Sequence, residues 1–153
     1  MKNGVIDMIS TDHCAYPRRV KDTGKTSVWK TPPGMPGLET LLPLLFTQVN
    51  KGRLTIRELV RLTSQAPAKT FGLPHKGELR VGSDADIVII DPKRAYRFRV
   101  EEMESVGGFS PFDGWKMRGK PVMTIVNGHI VMEEGEIVER RQGKFVKPCR
   151  PAL

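Results

Sequence analysis

Cysteine is scarce in this 153-residue chain: Cys14 and Cys149 are the only two, far apart and without a C-x-x-C pair. That excludes a disulfide framework or a zinc knuckle as the organising device. Cys14 reads as a small apolar filler before it reads as a nucleophile. No apolar run reaches the roughly 18 residues of a membrane span. The N-terminal stretch carries Asp7 and no long apolar core, so it does not read as a signal peptide. Cytoplasm is the default compartment. Internal repeats and low-complexity tracts are missing as well.

Acidic residues are the minority charge, 17 Asp and Glu against 25 Lys and Arg, for a net +8. The cations cluster at Arg18, Arg19, Lys21, Lys25 and Lys30, and again at Arg140, Arg141, Lys144, Lys147 and Arg150. Such a balance attracts nucleic acid or anionic metabolites. No aromatic-interleaved RNA motif or finger accompanies it, so a solvated basic surface is the preferred reading and nucleic acid is not an expected partner. With 39% hydrophobic and 27% charged residues the chain is of the folded, globular class.

What is present begins with the run Val5-Ile6-Asp7-Met8-Ile9-Ser10, which reads as a strand delivering Thr11-Asp12-His13 to its carboxyl end. In α/β enzymes that end is where the chemistry sits. A carboxylate there binds a metal, holds a water or accepts its proton; on spacing alone it more often caps a helix or starts a turn. A long loop with four prolines follows, from Cys14 to Pro36, with Trp29 in its middle. An aromatic so placed needs something to pack on, which predicts that the loop folds back over a site or partner.

The spacing then predicts a buried helix over 38–49 with Pro43 about one turn in, ended by Asn50-Lys51-Gly52. A second helix is capped by Thr55 with Glu58 in the capping-box position, and a third short one runs from near Ser64 to Gly72 with Pro67 in its first turn. From Lys76 on, the pattern turns to short strands at 78–81, 86–90, 96–100 and 122–126. Asn127-Gly128 is the hairpin signal into 129–132, and Glu133-Glu134-Gly135 the turn into 136–138. The organisation is α/β, with an α-rich portion over 1–75 and a β portion over 76–153.

Four stretches in order carry a family resemblance: Ile6–His13; Gly34-Met35-Pro36-Gly37-Leu38-Glu39-Thr40 with the leucines behind it; Leu62–Leu73; and Lys76-Gly77 followed by Gly82–Pro92. Ser110–Gly114 and Gly119–Gly128 continue it. The chain resembles the amidohydrolase superfamily, and within it the cyclic amide hydrolases: dihydroorotase, allantoinase and dihydropyrimidinase (hydantoinase). The resemblance implies the C-terminal fragment of a (β/α)8 TIM-barrel metal-dependent hydrolase. Residues 1–75 would be its last βα portion, and 76–153 strands and tail of its small β-sandwich domain. It also implies that Asp12 is both metal ligand and catalytic base, taking a proton from the attacking hydroxide and passing it to the leaving nitrogen. The cofactor implied is a divalent metal, zinc first, dinuclear in the complete enzymes. Pro33 and Gly34 match the backbone that hydrogen-bonds the substrate ring. Tyr16 stands where dihydroorotases carry a histidine for the substrate carboxylate, and Asp12-His13-Cys14-Ala15-Tyr16 is closer to dihydropyrimidinases.

The family's H-x-H pair, its carboxylated lysine and two further metal histidines have no counterpart here. His13, His75 and His129 are the only histidines, and the last two read as surface residues. A barrel of about 250 residues cannot be closed by this length. The chain is therefore expected to be inactive alone, to expose the helix at 38–49, and to associate as a homo-oligomer or to lack an N-terminal portion. A dihydroorotase-like activity is the first expectation, with hydantoinase or allantoinase activity as the alternative for a small cyclic amide substrate. A non-catalytic assembly module is the reading from a different class.

Overall fold

The structure is a computed structural model that describes residues 4–138 and 143–149. Its first half is helical. After a short helix α1 (Arg18–Lys21) and two single 3-10 turns comes α2 (Leu38–Asn50), the longest helix described. Pro43 lies inside α2 and is buried; the Thr47 hydroxyl donates to its carbonyl at 2.8 Å. Glu39, in the first turn where an acid favours the helix dipole, accepts from the Glu104 and Ser105 N–H groups, each at 3.0 Å. The helix ends at Asn50, with Gly52 N–H returned to Val49 as the sequence predicts.

Helix α3 (Ile56–Val60) opens with the capping box expected at Thr55 and Glu58. Glu58 N–H donates to Thr55 Oγ1 at 3.1 Å, and Thr55 N–H to Glu58 Oε2 at 2.7 Å. No break separates it from the third helix, contrary to the expectation of two separate pieces. A π-helical turn, Arg61–Gln65, carries the chain straight into α4 (Ala66–Thr70). The wide turn keeps Leu62 fully buried, and Pro67, second residue of α4, has its missing N–H tolerated in that first turn.

The second half is one antiparallel sheet in the order β1-β2-β3-β4: β1 Ile87–Arg97, β2 Lys116–Val126, β3 His129–Glu133 and β4 Glu136–Ile137. The hairpin at Asn127-Gly128 is as expected, with φ of 50° and 84°, the pair of positive values a type I′ turn requires. The strands expected at 86–90 and 96–100 merge into the single β1, whose register slips between Asp91 and Ala95 and so absorbs Pro92. Residues 78–81 form no strand. The Arg80 guanidinium instead reaches the Pro74 carbonyl at 3.1 Å within a turn.

Helices and sheet share a core of Phe46, Leu54, Leu59 and Leu62, with Ile9, Leu42, Leu45, Val49 and Ile90 packed around it. The contact of α2 on β2 is close. Thr47 Oγ1 accepts from Arg118 N–H at 3.0 Å, and Asn50 Nδ2 donates to the Arg118 carbonyl at 3.0 Å. Gly119 is obligatory there, because a Cβ would stand 2.1 Å from the Phe46 ring. Two further expectations are corrected. The opening run at 5–10 is not a strand, since none of the strands among the described residues pairs with it; Ile9 N–H donates to the Leu62 carbonyl at 2.9 Å instead. Trp29 stands out in solvent, 93% exposed, rather than folding back.

Candidate functional site

The site begins where Thr11–Cys14 runs beside Met35–Leu38. His13 and Met35 form an isolated parallel bridge, and Cys14 N–H donates to the Met35 carbonyl at 3.1 Å. His13 then does what no residue of the helix does for itself. The first N–H groups of α2, on Gly37 and Leu38, both donate to His13 Nδ1, at 3.1 and 3.2 Å. An imidazole that accepts at Nδ1 carries its proton on Nε2. The side chain next to Asp12 thus caps the helix that starts behind the Pro33-Gly34 loop.

Asp12 itself takes φ of 45°, the left-handed region that aspartate tolerates better than most residues. Its side chain is exposed. The turn separates Asp12 from the inward course of Thr11, which lies under Gly37. Gly34 sits on Cys14 so closely, with φ of 86°, that a Cβ would stand 2.4 Å from the Cys14 Cβ. Three of the four expected site positions, Asp12, Pro33 and Gly34, therefore belong to segments locked side by side. Both Pro33 and Gly34 are exposed. Tyr16 lies outside this lock, half open to solvent just before α1.

Among the described residues no group of three or more His, Cys, Asp or Glu side chains is arranged to hold a metal ion. Asp12 offers one ligand, so these residues do not fit a complete divalent-metal site by themselves. His75 and His129 are exposed, as expected; His75 Nδ1 lies 3.2 Å from the Gly82 carbonyl. Arg18 and Lys25 pair with Asp22 on the surface, at 3.6 and 3.4 Å. Lys144 and Lys147 are exposed, whereas Arg140, Arg141 and Arg150 lie outside the described residues. No helix among the described residues is long and apolar enough to cross a membrane.

Sequence reasoning missed two contributors. One is His13 as helix cap. The other is Lys21, taken as one more surface cation, whose ammonium donates to the Pro32 and Gly34 carbonyls on either side of Pro33. Nothing in the pattern distinguished it from Arg18 or Lys25.

Away from this site, Lys76 bridges Asp84, at 2.9 Å, and Asp86. Asp86 also accepts the Asn127 N–H at 2.8 Å and so ties the 73–86 connection to the hairpin. Burial pushes the Asp86 carboxyl up, but the hydrogen bonds from Lys76 and Asn127 outweigh it and hold the group below the usual carboxylate range. The hydrogen bond to Asp86 raises the Lys76 ammonium above its ordinary value against the opposing effect of burial.

The profile of the Amidohydrolase family matches residues 1–131. The L-hydantoinase of Paenarthrobacter aurescens is 44% identical over 149 residues, covering 95% of this chain and 32% of that protein. The dihydroorotase of Methanothermobacter thermautotrophicus is 42% identical over 141 residues, covering 92% of this chain and 32% of that protein. Among solved structures, the D-hydantoinase (dihydropyrimidinase) from Thermus sp. superposes with a TM-score of 0.90 at 34% identity, covering 95% of this chain and 32% of its own. The chain spans about a third of the length of the relatives it matches.

Proposed function

Because the chain belongs to the amidohydrolase family, we propose that it supplies the C-terminal part of the active site of a hydrolase that opens small cyclic amides. In this reading residues 1–75 are the last portion of a TIM barrel and residues 76–153 contribute to a flanking β-domain. One observation carries the proposal: an exposed carboxylate, Asp12, on a left-handed backbone, held beside the exposed Pro33-Gly34 backbone by the His13–Met35 bridge.

The chemistry follows from that juxtaposition. A ring amide seated on the Pro33-Gly34 backbone has its scissile bond offered to the neighbouring carboxylate. Asp12 accepts the proton of the attacking water as its oxygen adds to the ring carbonyl, and returns that proton to the ring nitrogen as the C–N bond breaks. General base and general acid are then one group used twice. A divalent metal, zinc first, would polarise the carbonyl and acidify the water. Asp12 is the single ligand this site offers it, and the remaining ligands belong to segments other than those described.

Two kinds of ring compete as substrate, one carrying a carboxylate and one uncharged. The run Gly34-Met35-Pro36-Gly37-Leu38-Glu39-Thr40 favours dihydroorotate. Tyr16, an aromatic in place of a carboxylate-binding histidine, favours an uncharged ring such as hydantoin or dihydrouracil. The test is a chimera in which residues 4–149 replace the matching third of the P. aurescens L-hydantoinase, loaded with zinc and offered all three rings. Ring opening of at least one is expected, and preference for the uncharged rings assigns the role of Tyr16. A folded, metal-loaded chimera that opens none of them overturns the proposal.

A further inference from the structure

Helix α1 projects Lys21 away from the other cations of its loop. Arg18 and Lys25 spend their charge on Asp22 at the surface, but Lys21 is half-buried and turned toward the Pro32-Pro33-Gly34 run. Its Nζ donates to the Pro32 carbonyl at 2.5 Å and to the Gly34 carbonyl at 2.6 Å, and stands 5.7 Å from the centroid of the Phe109 ring. An ammonium has three donors and no acceptor. Two carbonyls and an aromatic face give it a full set of partners.

The consequence falls on the residue in between. Proline has no N–H, so Pro33 offers the backbone only its carbonyl. Among the described residues none donates to that carbonyl, and Pro33 is exposed. Its neighbours on both sides are held, Pro32 and Gly34 by Lys21 and Gly34 again by its close seat on Cys14. We propose that Lys21 is a positioning residue: by occupying the Pro32 and Gly34 carbonyls it fixes the Pro33 carbonyl as the single acceptor this segment presents to a ring N–H. The inference rests on the reading above, in which Pro33-Gly34 meets the substrate, and adds to it a substrate requirement. The ring must carry an N–H on the side facing Pro33. A fixed acceptor serves ground state and transition state alike, so its loss is felt in KM before kcat.

Two experiments separate this inference from the reading beneath it. In the active chimera, Lys21→Met is expected to raise KM for the preferred ring about tenfold, the worth of one well-placed hydrogen bond, with kcat within about threefold, and Lys21→Arg is expected to recover part of the loss. An unchanged KM, or a fall in kcat at constant KM, overturns the positioning role. Independently, amide hydrogen exchange on the whole 153-residue chain reads the clamp without turnover. Faster exchange at the Cys14, Gly34 and Met35 amides in Lys21→Met supports it, and unchanged exchange overturns it. Should the parent chimera open no ring, the functional reading falls and the exchange result alone judges Lys21.

Discussion

At Asp12 the backbone enters the left-handed region and the carboxylate stays in solvent, while its neighbours Thr11 and His13 are engaged with the start of α2. A conformation of that kind costs energy and persists where the surroundings hold it. The holding groups here are the His13–Met35 bridge and the two N–H donors on His13. Single residues also set the response to pH. Asp86 titrates below the ordinary aspartate value of about 3.9, so across that interval the unfolded chain binds more protons than the folded one. The stability from Asp86 is therefore fully present above about pH 4 and is lost as pH falls through the lowered value. For Lys76, raised by Asp86, the sign reverses: the contribution is complete below about pH 10.4 and fades as pH climbs beyond it. Denaturant melts of Asp86→Asn as a function of pH are expected to show lower stability at neutral pH and a flatter acid limb. Equal acid limbs in the variant and the parent would exclude this role. Asp12 was legible as a candidate because a carboxylate after an apolar run is a visible pattern. Lys21 and His13 were not, because their roles depend on which backbone groups a distant segment leaves unpaired.

Elements were read most reliably where the signal was local. The Thr55–Glu58 capping box and the Asn127-Gly128 turn each need only a few adjacent residues, and both stand as expected. Long-range pairing was harder. The apolar run at 5–10 has the composition of a strand, but a strand exists only when another offers it hydrogen bonds, and here it has the Leu62 carbonyl. The reverse happened at Pro92, where a sequence break between two expected strands became an irregularity inside one, held by β2 alongside. The helix α2 supplies the test at this scale. Its N-terminal donors depend on an imidazole 24 residues away in sequence, so His13→Ala is expected to cost about 1 kcal/mol in chemical denaturation, the usual worth of a cap. An unchanged midpoint would mean that water serves those N–H groups equally well.

Among the described residues, many large apolar side chains are exposed around a small core. Val5, Ile6, Leu38, Leu79 and Val81 are all exposed, Leu38 at 64% although it opens the longest helix described. At about 25 cal/mol per Å² of apolar area, surface of this extent favours covering by other protein. The chain alone is expected to elute above its 17.2 kDa mass in size-exclusion chromatography with light scattering. A sharp monomer that binds no apolar dye would contradict that expectation. Membership of the family was legible from motifs spread over the chain. The division at residue 75 into a barrel portion and a β-domain portion remains our proposal, and the core shared by Phe46, Leu62 and Ile90 crosses it.

The central claim is that Asp12 handles the proton in ring opening. It is tested most directly by kcat of the Asp12→Asn chimera beside its parent, with thermal midpoints measured in parallel. The account expects kcat to fall about 10²- to 10⁴-fold, the range for loss of a general acid–base group, at an unchanged midpoint. A kcat within about threefold of the parent would contradict it.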